Sequence, residues 1–245
     1  MRVDGRQFSD LRPVKITPHV SEFAEGSAMV EFGKTKVLCT ASYEDMPPKW
    51  LQNTGSGWVT AEYGMLPRST QSRLRRDKTQ TSGRTQEISR LIGRSLRAAV
   101  DLKKLGECQI TIDCDVLHAD GGTRTASVTG GFVALALALQ KLKAVSEIKE
   151  NPLTHYIAAI SVGMKNGQPY LDLNYDEDSS IHTDMNFVMT HLGSFVEIQG
   201  TAEQQAFTRS ELNSMLDVAE KGCRDLMRKQ AEVIGSFFPL QMSQG

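Results

Sequence analysis

The sequence has few cysteines and histidines, and these shortages exclude several classes of protein. The four cysteines among 245 residues have no Cys-x-x-Cys spacing, and three lie in apolar-periodic segments, as is typical of reduced core thiols in a reducing compartment. The five histidines form no His-Glu-x-x-His pattern, so no zinc site is predicted. No uninterrupted apolar run approaches the ~20 residues of a membrane span, and residues 1–10 are charged where a secretion signal needs an apolar segment. We therefore expect a cytoplasmic protein without membrane contact.

Neither the composition nor the net charge singles out a special class. With 40% hydrophobic residues, the chain can form one large α/β domain or two closely packed halves. No repeat, low-complexity segment or linker divides it, so we predict a single domain over residues 1–245 that frays after about residue 239. The net charge is −1, but nine of the 28 basic residues fall between Arg68 and Arg97, where only Asp77 and Glu87 are acidic. This local asymmetry indicates a polyanionic partner.

The most informative stretch joins a predicted strand to a predicted helix. Apolar and polar residues alternate from residue 109 to 116, as in a strand with one buried face, and residues 126–139 are apolar nearly all round, as in a buried helix. Between them lies Gly121-Gly122-Thr123-Arg124. A glycine turn at a helix N-terminus lets backbone N–H groups bind an anion, with Thr123 and Arg124 as further donors. Taken alone, the pattern equally suits a tight connection whose arginine points to solvent. It lacks the spacing of a nucleotide-triphosphate loop.

A basic segment and a second helix start precede this stretch. Residues 66–78 contain few apolar side chains, which predicts an exposed loop, and Arg68, Arg73 and Arg76 there are either solvated or bind phosphates. Thr85 is predicted to cap the following helix. Arg84 would then lie just before the cap, at a second helix N-terminus that can bind an anion.

Hairpins and an acidic segment fill the second half of the chain. Gly33-Lys34 and Asn166-Gly167 predict two-residue hairpin turns, and Thr208 begins a capping box for a long last helix. Asp178 and Asp184 lie six residues apart between two predicted hairpins. They could hold one Mg²⁺ or donate a proton to a departing 3′ oxygen, or they could be turn caps and solvated acids. Together with the two anion sites, they suggest phosphoryl transfer on a polyanion, with inorganic phosphate as an already ionised nucleophile.

Several motifs, in order along residues 2–230, resemble the ribonuclease PH family. They are Asp4-Gly5-Arg6, Leu11-Arg12-Pro13-Val14, residues 57–68 (GWVTAEYGMLPR), Ser82-Gly83-Arg84-Thr85, Arg90-Leu91-Ile92-Gly93-Arg94, residues 120–126 (DGGTRTA), Asp178 with Asp184-Met185-Asn186, and residues 199–203 (QGTAE). Each motif is weak alone. The ordered set is specific.

The resemblance implies a phosphate-dependent 3′-to-5′ exoribonuclease of tRNA and rRNA processing that trims precursor tRNA 3′ ends, releases nucleoside diphosphates and can add nucleotides in reverse. It implies an α/β (α+β) fold of the ribosomal protein S5 domain 2-like type, with two βαβα-like halves whose mixed sheets pack against helices, assembled as a homohexamer, a trimer of dimers. Matching motifs imply that Arg84, Gly122, Thr123 and Arg124 bind phosphate and that Asp178 and Asp184 form the acid and Mg²⁺ site. Arg68, Arg73 and Arg76 would guide the RNA 3′ end, near a subunit contact.

Two departures and two alternatives accompany this resemblance. The spacer between Arg76 and Arg84 is short for the family, and Gln204-Gln205-Ala206 replaces a turn that usually contains Gly and Pro. One alternative is a catalytically silent RNA-binding subunit of a ring, although such a subunit can lose the phosphate and acid motifs, which are intact here. The other is a small-molecule kinase on a similar fold, against which the missing nucleotide loop and the arginine-rich segment both speak.

Overall fold

The fold contains two β-sheets that pack against helices. The structure is a computed structural model that describes residues 2, 4–77, 82–202 and 206–241. The strands are β1 Val14–Pro18, β2 Gly26–Phe32, β3 Thr35–Glu44, β4 Trp58–Met65, β5 Gln109–His118, β6 Ile157–Lys165, β7 Gln168–Leu171, β8 Thr183–Thr190 and β9 Phe195–Ala202. The helices are α1 Gly83–Arg97, α2 Leu102–Leu105, α3 Thr123–Ala144, α4 Tyr175–Asp178 and α5 Arg209–Ile234, with 3-10 turns at Lys49–Leu51 and Gly235–Phe237.

The first sheet has the order β1-β2-β3-β5-β4, and the second has the order β7-β6-β8-β9. Strands β4 and β5 are parallel, and every other neighbouring pair is antiparallel. The first sheet is therefore mixed, whereas the second is antiparallel throughout. The α/β fold class with two sheets against helices is confirmed.

Helix α3 lies between the two sheets. It packs against β2, β3 and β5 of the first sheet and against β6 and β8 of the second, and it also contacts α5. This two-sided burial explains why its sequence is apolar all round. By length and composition α3 could cross a membrane, but 89% of its most apolar 18-residue window is buried inside the protein, as in a core helix.

Most of the local predictions are confirmed. Gly33 has a positive φ of 57° and links β2 to β3, while Asn166 and Gly167 both have positive φ, as a type I′ turn between β6 and β7 requires. Thr208 forms the capping box of α5 with Glu211. All four cysteines are buried free thiols. Of the tail predicted to fray after residue 239, residues 242–245 lie outside the described ranges, and the single-domain boundary stays a prediction.

The cap of α1 was placed wrongly. Ser82, not Thr85, is the N-cap: the backbone N–H of Thr85 donates to Ser82 Oγ at 3.1 Å, and α1 begins at Gly83. Serine and threonine are both favoured at N-caps, so the local sequence does not distinguish Ser82 from Thr85 as the cap. Arg84 consequently lies inside the first turn of α1 and not before it.

Candidate active site

The candidate site lies at the edge of the first sheet where β4 and β5 both end. Since these strands are parallel, the basic loop after β4 and the glycine turn after β5 emerge side by side. Two backbone hydrogen bonds join them: Ala119 N–H donates to Ser69 O at 2.8 Å, and Leu66 N–H donates to Val116 O at 3.0 Å. The sheet thereby brings the N-termini of α1 and α3 to one edge.

The glycine turn is held in a conformation that needs glycine. Gly121 and Gly122 have φ of 75° and 67°, and a Cβ on Gly121 would lie 2.5 Å from the carbonyl oxygen of Leu173. Gly122 is the N-cap of α3, and no side chain caps the first turn. The backbone N–H groups of this turn can therefore bind an external anion. The hydroxyl groups of Thr123 and Tyr63 lie 2.9 Å apart.

The turn and Arg84 line the same cleft. The cleft has a volume of about 1170 Å³. Its lining includes Arg68, Arg84, Gly122, Thr123, Arg124, Asp178 and Asp184. The electrostatics agree with this arrangement: burial raises the pKa of Tyr63, and the charges of Arg84 and Arg124 both act to lower it. Two positive side chains from different helices therefore converge on one site.

Arg124 is oriented by a hydrogen-bonded triangle. Its Nη1 donates to Gln199 Oε1 at 2.6 Å and lies 3.4 Å from Glu87 Oε1, while Gln199 Nε2 donates to the same Glu87 oxygen at 2.7 Å. Gln199 belongs to β9 and Glu87 to α1. The guanidinium of Arg124 is thus positioned by residues from both halves of the chain.

The short helix α4 and the second sheet contribute one acid each. Asp178 ends the short helix α4, and Asp184 is the second residue of β8. The Asp178 side chain is open to the cleft, yet partial burial, followed by the charge of Asp184, raises its pKa, against the opposing charges of Arg84, Arg124 and Arg12. The two carboxylates are therefore close enough to interact, and the charges of the arginines also act on the acid pair.

Two neighbouring carboxylates suit a Mg²⁺ ion. This ion binds oxygen ligands, commonly one or two carboxylates, and keeps several waters. Partial burial, followed by the charge of Asp184, raises the pKa of Asp178, and a bound cation would offset both effects by stabilising the ionised carboxylate. Within the described ranges no group of three or more His, Cys, Asp or Glu side chains could hold a metal, so the donor set fits a weakly held, largely hydrated ion and not a fully protein-coordinated metal.

The basic loop meets the cleft only in part. Arg68 lines the cleft, whereas Arg73 and Arg76 are exposed and do not belong to the described lining. Lys78 and most of the short spacer before Arg84 lie outside the described residues, as do Glu203, Gln204 and Gln205.

Comparisons with known proteins match most of the length of this chain. The sequence model of domain 1 of the 3′ exoribonuclease family matches residues 10–139, and the model of domain 2 matches residues 155–222. A protein named ribonuclease PH from Bdellovibrio bacteriovorus is 72% identical over 240 residues, covering 98% of this chain and 99% of that protein. The chain belongs to the ribonuclease PH family. Its members are phosphorolytic 3′-to-5′ exoribonucleases, and the family expected from the sequence is confirmed.

Solved structures of low sequence identity share the family fold. A chain of an Archaeoglobus fulgidus exosome with RNA bound to the active site superposes with a TM-score of 0.79 at 23% identity, over 93% of this chain and 92% of that one. Rice (Oryza sativa) Rrp46 superposes with a TM-score of 0.75 at 20% identity, over 98% and 100%. These likenesses concern the fold alone.

A buried ion pair, which the sequence patterns did not reveal, supports the site. Arg12 donates from Nη2 to Asp172 Oδ1 at 2.7 Å, and its Nη1 also donates to the backbone oxygen of Asp120, directly before the glycine turn. Asp172 is fully buried. Arg2 donates to the Asp172 carbonyl and pairs with Glu177 beside Asp178. The Arg12–Asp172 pair therefore ties the glycine turn to the segment that bears Asp178.

We expect Asp172→Asn to destabilise the protein. The substitution leaves the Arg12 charge buried without its partner, which costs about 3 kcal/mol in free energy of unfolding. Denaturant unfolding of the variant and the wild type measures the difference. Asp217→Asn, a substitution on α5, is the matched control, and equal stability of the three proteins would contradict the role of the pair.

Proposed function

We propose that this exoribonuclease shortens precursor tRNA from the 3′ end, using inorganic phosphate and releasing nucleoside diphosphates, and that it adds nucleotides in the reverse direction. The observation that carries the proposal is that Arg84, the turn at Gly122–Arg124 and the two acids line one cleft. A site built to bring an anionic nucleophile to an anionic polymer needs such a set of cations and helix ends, because the main obstacle is charge repulsion.

In the proposed reaction, phosphate sits between Arg84 and the start of α3. The guanidinium groups of Arg84 and Arg124 and the N–H groups of the turn offset its charge, and Thr123 adds a hydroxyl donor. A phosphate oxygen forms a bond to the phosphorus of the last phosphodiester, and the bond from that phosphorus to the 3′ oxygen of the preceding nucleotide breaks. The products are a nucleoside diphosphate and an RNA one nucleotide shorter.

The departing 3′ oxygen takes a proton, and Asp178 is our choice for the donor. A carboxyl with a raised pKa stays protonated to higher pH, and the pKa of Asp178 is raised by partial burial and by Asp184. Asp184 remains to hold the cation. Arg84 and Arg124 oppose the shift, so they keep the pKa of the acid from rising further.

We propose that Asp184 holds Mg²⁺ and that Asp178 is a second ligand when its carboxyl is ionised. When bound, the ion supplies positive charge near the reacting phosphodiester. Treatment with a chelator is expected to reduce activity, and added Mg²⁺ is expected to restore it. Asp184→Asn should raise the Mg²⁺ concentration needed for half-maximal activity. A variant with an unchanged Mg²⁺ requirement would remove Asp184 from the metal site.

We propose that Arg68, Arg73 and Arg76 contact RNA phosphates and that the protein acts in the cytoplasm as a homohexamer, a trimer of dimers. Arg68 reaches the cleft, and the other two arginines extend the positive surface outside it. The edge strand β9 exposes Phe195 and Ile198, each 44% exposed, which supports a contact between subunits. The buried free cysteines support a reducing compartment.

The double substitution Arg73→Ala with Arg76→Ala is expected to weaken RNA binding and flatten its salt dependence. Each lost phosphate contact on a single strand lowers the log–log slope by about 0.7. Titration of RNA at several salt concentrations measures the slope, and light scattering should show whether the oligomer persists. Normal binding by an intact oligomer would contradict the assignment of the loop.

The proposed activity is tested with a tRNA that carries extra 3′ nucleotides. With phosphate, the protein should release nucleoside diphosphates and stop near the mature end; without phosphate, the RNA should stay intact. Release of nucleoside monophosphates, or trimming that is indifferent to phosphate, would contradict phosphorolysis. No degradation in either condition would favour a silent RNA-binding subunit.

A further inference from the structure

One aromatic side chain in the cleft packs against no other ring. Tyr175 lines the cleft and is 59% exposed. Within the described ranges its ring has no aromatic or cationic partner, and its hydroxyl makes no hydrogen bond. By contrast, Tyr63 and Tyr156 are buried and hydrogen-bonded. An aromatic face left bare in a polar cleft is available to a ligand that has a π-face of its own.

The backbone of Tyr175 is held although its ring is bare. Its N–H lies 3.4 Å from Asp120 Oδ1, and the preceding Asn174 forms a capping box with Glu177. Arg2 and Arg6 fix Glu177 in turn. The backbone that carries the ring is therefore fixed beside the cleft, and a ligand needs to order only the side-chain torsions of Tyr175.

The position of Tyr175 relates it to the reacting end of the RNA. Tyr175 and Asp178 are the first and last residues of α4, and residues three apart lie on the same side of a helical turn. The half-buried apolar side chains of Met65 and Leu74 also line the cleft. The cleft thus combines an aromatic face near the acid with apolar side chains elsewhere in its lining, which phosphate alone does not require.

On the basis of the proposed function, we propose that Tyr175 is a stacking site for a nucleobase of the RNA, one of the two nucleotides that flank the scissile bond. Stacking on an aromatic ring is tolerant of sequence because every base has a π-face. Such a site suits an enzyme that removes successive nucleotides of any identity. It fixes one base at the reacting end of the RNA while the arginines and the glycine turn hold phosphate.

The test combines tyrosine variants with RNAs that lack single bases. Tyr175→Ala should raise KM for a base-bearing RNA about tenfold, within the range that loss of one stacked base produces. With the wild type, an RNA that has an abasic nucleotide at the stacked position should show the same raised KM that base-bearing RNA shows with Tyr175→Ala. The KM for this abasic RNA should not rise further in Tyr175→Ala. Abasic nucleotides placed singly at the last, the penultimate and a distant upstream position identify which base stacks.

Two variants separate stacking from other roles. Tyr175→Phe keeps the ring, so the difference in KM between base-bearing and abasic RNA should persist. If the hydroxyl group were the functional part, Tyr175→Phe would instead behave like Tyr175→Ala. Phe23→Ala, which removes a 93% exposed ring outside the cleft lining, is the matched control. The KM for phosphate should stay at the wild-type value in Tyr175→Ala.

Three outcomes would overturn the stacking site: an unchanged KM for RNA in Tyr175→Ala, an equal loss on base-bearing and abasic RNAs, or loss of the base dependence in Tyr175→Phe. Failure of the proposed function is distinguishable, because the wild type would then release no nucleoside diphosphate from any of these RNAs. Thermal unfolding of each variant shows whether a loss reflects folding.

Discussion

Arg84→Lys is expected to reduce kcat/KM for phosphate about 100- to 1000-fold, the cost of removing one preorganised donor group from a reacting anion. Arg84 lies in the first turn of α1 and lines the cleft. Among the residues that the structure describes, no carboxylate pairs with it, so both arms of its guanidinium can bind phosphate. Lysine keeps the charge but loses the planar fork that matches two phosphate oxygens.

The same variant should bind RNA with nearly wild-type affinity in phosphate-free buffer. Steady-state rates over a range of phosphate concentrations, together with RNA titration, separate the two effects. Arg90→Lys is the matched control, since Arg90 lies on the same helix, is exposed and does not line the cleft. A parallel loss of RNA binding would instead place Arg84 on the polymer.

Asp178→Asn is expected to lower kcat about 100- to 10,000-fold, the usual contribution of a positioned general acid. Asparagine preserves the shape but cannot transfer a proton. In the wild type, the rate should fall as pH rises through the pKa of Asp178, and the variant should lack this decrease. Asp176→Asn is the control, because Asp176 belongs to the same short helix and also lines the cleft.

Loss of folding would not explain the loss of rate in Asp178→Asn. The pKa of Asp178 is raised in the folded protein, so the ionised carboxylate is less favourable there than in the unfolded chain. Above the unfolded pKa this difference lowers stability, and it vanishes below that pKa. Removing the carboxylate should therefore leave the protein at least as stable at neutral pH. A variant that is less stable at pH 7 would assign Asp178 a structural role.

The sequence revealed the parts of the site that depend on local backbone chemistry. Two successive glycines between a strand and a helix predicted the turn at Gly121 and Gly122, because few other residues adopt positive φ there. Asn166-Gly167 was recognisable for the same reason. The capping box at Thr208 was recognisable because it joins Thr208 to Glu211, only three residues away. Their signals lie within a few consecutive residues.

Contacts between distant residues left no such signal. Arg12 and Asp172 are 160 positions apart, and the local sequence around neither residue indicates the pair. Gln199 approaches Arg124 across 75 positions, and nothing in either local pattern announces that contact. The exposure of Tyr175 depends likewise on how α4 meets the cleft.

The placement of α3 bears on how the molecule folds. Strands of both sheets cover this helix, so neither sheet can complete its apolar core while α3 is unfolded. Unfolding of α3 would therefore disturb the glycine turn at its start and, through β6 and β8, the sheet that bears Asp184. We expect activity and the structure of α3 to be lost together when the protein is denatured.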